Sequence, residues 1–394
     1  MNRAHVASTA IRLGRFWSML KATLGGALVA ASIAAVPANA SETKGFLVSW
    51  FDISQFYDTE GRNCPHGINP GPEEYYIREL KRIGTPQEEI DHYIDNFLDL
   101  SQAGEIAPMV QMRGRIDGKP VDVYANPTSV PDPNIFLVEG PHSYGFNLDG
   151  KESTGGFIDP ETGEKGIDNQ IFKAVGCTQE IRQHAPDEYP PLTISYWGVV
   201  VEVMPALLIE ISGIDDPVND DDVTVSIIRG QERPVRDSSG GLLAGMSFSV
   251  DPNPKWHNVL KGQIRDGVIT TTPTNINIAT DPFVMPEHNF TDARLRLKIQ
   301  EDGTLDGKLG GYHKWFPFYW KYGVGTWGVE ATNNIDLPGF YYALRKLADA
   351  YPDPETGENT SISVAFQIDA VPAFVIREEQ SAQNGRVLRS VSGN

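Results

Sequence analysis

The chain has 394 residues, with 33 Lys and Arg against 52 Asp and Glu, a formal charge of −19. A surface this acidic repels phosphate backbones and anionic lipid, which argues against nucleic acid and membrane surfaces and leaves cations, or solubility alone, as its meaning; an unknown ligand or a protein partner stays open. The composition is otherwise that of a globular protein, with 38 Gly and 28 Pro promising many turns and only 2 Cys.

Residues 1–40 read as a cleavable export leader. Arg3, Arg12, Arg15 and Lys21 precede an apolar run from Ala22 to Val36, and Ala38-Asn39-Ala40 supplies the small-x-small pattern of a signal peptidase site. The competing reading is a membrane anchor, but a spanning helix needs roughly 20 apolar residues, and this run contains Gly25 and Gly26 and stops at Pro37. Cleavage near Ala40 predicts a soluble periplasmic or secreted product with no membrane span. It would carry 29 basic and 52 acidic residues, a charge of −23.

Residues 41–141 are expected to be helical and irregular. Pro72-Glu73-Glu74 opens one helix and Thr85-Pro86-Gln87-Glu88 a second, hinged at Gly84, since Pro at the first position and acids in the first turn favour helix starts. Cys64 lies here and Cys177 beyond it, and an even number of cysteines in an exported chain points to one disulfide, with two free buried thiols as the alternative.

Residues 142–190 form a Gly/Asp-rich segment around one short helix. Asn147, Asp149, Asp159 and Asp168 lie near glycine turns, a donor set suited to a hard cation, with calcium the candidate cofactor. The competing reading makes Asp159-Pro160 to Gly163 a turn and Asp168 the cap of a helix from Asn169 to Val175. Asp-Pro-Glu-Thr-Gly-Glu recurs at Asp353–Glu358 with different flanks, which indicates two similar turns and no repeat.

Residues 191–394 are dominated by alternating apolar runs such as Leu207–Ile211, Val223–Ile227 and Leu295–Ile299, separated by Asp-Gly turns. A late helix is expected from Gly339 to Ala350. The fold class is therefore α+β: an antiparallel sandwich or barrel with helices packed on it from the N-terminal region and this one late helix, and residues 141–394 could form one domain. Asp215 to Asp222 crowd one turn, read as solvated or as a second cation site. Tyr312, Trp315, Trp320 and Trp327 stand in an aromatic stretch that suits either a ligand platform or core packing. Gly323 to Gly328 spell a dinucleotide fingerprint without the βαβ setting it needs.

No metalloprotease pair, phosphate loop or nucleophile elbow is present, and the histidines are scattered singly. For an acid-pair hydrolase the sequence points first to Glu287, His288, Glu330 and Asp336, where acids neighbour aromatics and His.

Leu148-Asp149-Gly150, Gly166-Ile167-Asp168-Asn169-Gln170 and Gly176-Cys177 together resemble a segment shared by a group of uncharacterised exported bacterial proteins. The resemblance implies a recurring loop-and-cysteine unit and brings no activity with it. Three functions stay open: a non-catalytic ligand-binding or envelope-associated protein, with or without structural calcium; an acid-dependent hydrolase or lyase acting on an extracellular polymer; and an accessory subunit of an exported complex.

Overall fold

The computed structural model describes residues 41–377 except 103, 153–155, 187, 192–200, 202, 281–285 and 324–325; the expected leader lies outside the described residues. The first element is a strand, β1 (Glu42–Ile53), where the sequence suggested irregular structure. Helices α1 (Pro72–Arg82), α2 (Gln87–Gln102) and α3 (Ile106–Gln111) follow, with Pro72 in the first turn of α1 and Gly84 at positive φ between α1 and α2. The small hairpins β2 (Gly114–Ile116) with β3 (Lys119–Val121) and β4 (Phe157–Ile158) with β5 (Lys165–Ile167) precede α4 (Gln170–Val175).

Alternating sequence then produces β6 (Leu207–Ile214), β7 (Asp220–Arg229), β8 (Met246–Ser249), β9 (His257–Arg265), β10 (Val268–Thr271), β11 (Thr274–Ala279), β12 (Glu287–Ile299) and β13 (Leu305–Lys314). Three helices follow, α5 (Trp315–Gly323), α6 (Thr326–Asn333) and α7 (Leu337–Leu347), and β14 (Ala350–Pro352) and β15 (Asn359–Ile376) end the described chain. Only α7 matches the expected late helix, started by the Asp336 carboxylate, which accepts from the Gly339 amide at 2.6 Å.

Hydrogen bonding runs β1-β6-β7-β9-β10-β12-β13-β15 and returns from β15 to β1, every pairing antiparallel, so eight strands close a barrel. Closure removes the free edges that an open sheet would present. The remaining strands are accessory: β8 lies parallel to the end of β15, β11 pairs with β12, and β14 with the start of β15.

An eight-stranded barrel is just wide enough for side chains to fill. Phe46, Val48 and Phe51 of β1, Ile209 and Ile211 of β6, Val223 and Val225 of β7, Leu295 and Leu297 of β12, and Phe366 and Ile368 of β15 belong to one buried cluster. A bulge in β12 between Thr291 and Arg294, with Asp292 at φ 52°, switches the phase of the strand. Phe290 before it and Ala293, Leu295 and Leu297 after it all join the core, while Arg294, Arg296 and Lys298 turn outward.

Cys64 and Cys177 form the expected disulfide, with Cα atoms 5.7 Å apart across a separation of 113 residues. Among the described residues no helix is long and apolar enough to cross a membrane.

Candidate functional site

Alternation on β12 places Arg294 and Arg296 on the outer wall of the barrel, beside Lys308 of β13, and the segment from Tyr144 to Asp168 lies against them. Gly310 makes room, since a Cβ there would stand 2.2 Å from the Phe146 ring. The Arg296 guanidinium sits 4.8 Å from the Phe146 ring centre and Lys308 Nζ 4.4 Å from that of Tyr144. Arg296 meets Asp159 at 3.5 Å and Glu164 at 3.2 Å, and Lys308 meets Glu161 at 3.2 Å. Arg294 donates to the carbonyls of Asn147 at 3.1 Å and Leu148 at 2.9 Å. A basic stripe on the wall therefore neutralises three of the acids in this segment, Asp159, Glu161 and Glu164.

Asp159 shapes a turn, its Oδ1 accepting from the amides of Glu161 at 2.9 Å and Thr162 at 3.0 Å. Asp353 repeats this with Glu355 and Thr356, both at 2.9 Å, and Gly163 and Gly357 share a φ of 73°. The repeated hexapeptide is thus one turn used twice. The helix cap is Asn169 and not Asp168: Asn169 Oδ1 accepts from the amides of Phe172 and Ala365, and its Nδ2 donates to Ser54 O, Ser143 Oγ and Tyr144 O, each at 3.1 Å.

Asp168 is thereby left for another use. It is 3 % exposed, and its Oδ2 accepts from the amides of Leu148 at 2.8 Å and Asp149 at 3.4 Å. Asp349, which keeps a solvent-exposed edge just after α7, accepts from the Ser363 amide at 2.8 Å and hydroxyl at 2.6 Å, and the same hydroxyl accepts from the Gln170 amide. The two carboxylates are neighbours. Burial raises each to about 6, Asp149 adds to the rise at Asp168, and Asp168 adds to the rise at Asp349. Tyr312 stands opposite Ser363 in the β13–β15 register, its phenol pushed up by burial and then by Asp168, Asp349 and Asp149. Tyr351 stands edge-on to Tyr312 at 5.5 Å and reaches Asp292 with its hydroxyl. Among the described residues neither Asp168 nor Asp349 has an ion pair with Lys or Arg, while Asp149 meets the exposed Lys151 at 3.4 Å. Arg294 pulls the Asp168 carboxyl down, but weakly beside the burial that raises it.

Three residues singled out from the sequence, Asp149, Asp168 and Tyr312, are thus brought together. Asn147 lies beside them, with its amide turned to Lys165 O. The aromatic stretch scatters. Trp315 Nε1 donates to Asn359 O at 3.1 Å, Trp320 is 44 % exposed and stacked on Phe316, and Trp327 packs on the cluster formed by α1, α2 and α3. Reasoning from sequence missed Asp349 and Ser363, whose signal is faint: one acid directly after a helix and one Ser in an apolar strand. The alternation Arg294-x-Arg296-x-Lys298 was readable as a charged outer face.

Of the acid-pair candidates, Glu287 pairs with Lys255, and His288 is buried among the core aromatics. Glu330 and Asp336 do meet, on Arg113, at 2.8 and 3.2 Å. Glu330 also accepts from Tyr124 Oη at 2.6 Å and from the Leu337 amide at 2.9 Å, and Asp336 caps α7. With their oxygens engaged and all three charged groups buried, the cluster works as a clamp between the Arg113 region and the α6–α7 junction. The acidic turn at Asp215–Asp222 is tied by its own amides and by Lys261 and Arg265.

Among the described residues no three His, Cys, Asp or Glu side chains converge at metal-ligand spacing. No family model, curated protein or solved structure matches this chain.

Proposed function

We propose that this chain is a non-catalytic binding protein of the cell exterior, exported by its leader, with a hard cation, calcium foremost, held between Asp168 and Asp349. The observation that carries this reading is the pair Asp168 and Asp349: neighbouring carboxylates, both raised to about 6, with no basic side chain paired to either among the described residues. A cation offsets the cost of holding such carboxylates charged. Calcium takes six to eight oxygens and accepts carbonyls and water beside carboxylates, so two Asp side chains suffice when backbone oxygens and water complete the shell. In that role the ion would fasten the Tyr144–Asp168 segment to the barrel and present an acidic, tyrosine-lined outer surface to a ligand or partner.

The saturated bonding of Glu330 and Asp336 gives the hydrolase alternative less support, since a general acid or base needs a free proton site. Thermal unfolding of the purified protein with calcium and with chelator tests the proposal. A ligand that binds only the folded state at 100 times its Kd stabilises by about 2.7 kcal/mol. Calcium should therefore raise Tm reversibly, and an unchanged Tm at millimolar calcium would refute the site.

A further inference from the structure

His288 on β12 and His313 on β13 stand singly in the sequence, but antiparallel pairing brings them together inside the barrel. Their rings pack edge to face as neutral aromatic rings do, with centres 5.5 Å apart and planes at 86°, and the residues are 8 % and 4 % exposed. Phe51 of β1, Phe290 of β12, Phe366 of β15 and Phe318 of α5 pack around them. Across the ladders His288 stands opposite Ile278 of β11 and His313 opposite Ile362 of β15, both buried.

This cage holds no acceptor for an added proton. His288 Nδ1 and His313 Nε2 are buried without a hydrogen-bond partner, and His313 Nδ1 lies 3.2 Å from the Lys314 carbonyl, to which it donates. A charged imidazole donates from both nitrogens, so the new N–H of His313 would face hydrocarbon. The charged neighbours are turned elsewhere: Glu287 bonds to Lys255 and is reached by Lys321 of α5, Lys314 donates to the Thr360 hydroxyl, and Asp52 and Gln367 alternate along their strands with Phe51 and Phe366. Among the described residues no acid or base other than His313 acts on His288, and none acts on His313. Burial holds both imidazoles below the usual histidine range, with His313 pushed down to about 4.

We propose that this pair is an acid trigger: the barrel stays closed only while both rings are neutral, and mild acid opens it because neither ring can be charged in place. The unfolded chain is free of that restriction, and its imidazoles take up protons near pH 6.5. Below that pH the unfolded state binds more protons than the fold, so folding stability falls with pH, and for His313 the fall ends near pH 4, where the folded ring is itself charged. Asp168 and Asp349, raised in the fold, act with the opposite sign over the same range, so the trigger is read from the difference between wild type and variant. It does not depend on the calcium reading.

The test is urea unfolding in chelator of wild type and His313→Phe between pH 7.5 and pH 4, joined to proton NMR of the histidine rings of wild type. Over that range the folding equilibrium constant of wild type should fall by about 100-fold relative to the variant, the change set by a group held at about 4 in the fold against 6.5. In the NMR titration two imidazoles should keep their neutral shifts until the protein unfolds. Parallel pH profiles of the two proteins, or protonation of every histidine near pH 6.5 in the folded state, would each overturn the proposal. The NMR titration needs only wild type, so a variant that fails to fold leaves the decision to it.

Discussion

Asp168→Asn is expected to stabilise the metal-free protein at pH 8. The wild-type carboxyl holds its proton up to about pH 6 in the fold, against an ordinary value of 3.8. At 1.36 kcal/mol per pKa unit this is a cost of about 3 kcal/mol, present in full above pH 6 and relieved as pH falls from 6 to below 4. Because Asp168 is 3 % exposed, solvent screening takes little from it. The amide oxygen of Asn can still accept from the Leu148 and Asp149 amides, so the change removes the charge and keeps the shape. Urea unfolding in chelator at pH 4 and pH 8 measures both states. The variant should gain about 2 to 3 kcal/mol over wild type at pH 8 and well under 1 kcal/mol at pH 4. Saturating calcium should reverse the order, since only wild type keeps the full set of carboxylates. A variant less stable than wild type at pH 8 in chelator would refute the reasoning about Asp168.

Three further outcomes follow from the same contacts. Arg113→Met leaves Glu330 and Asp336 buried without their cation and should cost about 3 to 5 kcal/mol; a loss below about 1 kcal/mol in urea unfolding would mean the clamp contributes little. Gly310→Ala drives a methyl into the Phe146 ring, so hydrogen exchange should quicken at the Asp168 amide, which donates to Phe146 O at 2.9 Å, with about 1 to 3 kcal/mol lost. Unchanged exchange there would show that the segment is held by its ion pairs alone. Replacing Cys64 and Cys177 by Ser opens a loop of 113 residues, for which chain entropy gives about 4 to 5 kcal/mol; equal stability of the variant and wild type would contradict that account.

β9 and β12 were legible because one face is wet, and apolar and polar residues alternate along them; β6 and β7 showed as apolar runs rich in β-branched residues, whereas β13 was missed because Asp306-Gly307 near its start is an Asp-Gly pair of the kind that marks a turn. β1 was also missed, for a reason opposite to what made β9 and β12 legible. Phe46 and Val48 point into the barrel while Leu47 is buried on the other side with Leu208, Phe248 and Ala373. The run Phe46-Leu47-Val48 is therefore apolar throughout and shows no period. The aromatic stretch misled in another way: its residues favour strands locally, yet Phe318 and Tyr319 are buried while Phe316 and Trp320 are exposed, a helical spacing that tertiary packing enforces in α5.

The outer-wall site was half legible. Asp149 and Asp168 stood out because glycines and acids crowd their segment. Asp349 did not, because nearly 200 residues separate it from them in sequence, and only the pairing of β13 with β15 carries its neighbour Ser363 to the place where Tyr312 and Asp168 meet. A contact of that kind is made by topology and leaves no local mark. The two histidines share this history, since cross-strand register alone brings them within reach.

The most direct test of the cation site is calorimetric titration of calcium at pH 7.5 into wild type and into Asp168→Asn/Asp349→Asn. We expect one equivalent bound by wild type, weakened at pH 5 as protons compete for carboxyls that titrate near 6, and no binding by the double variant. Calcium binding of the same affinity in both proteins would contradict the assignment.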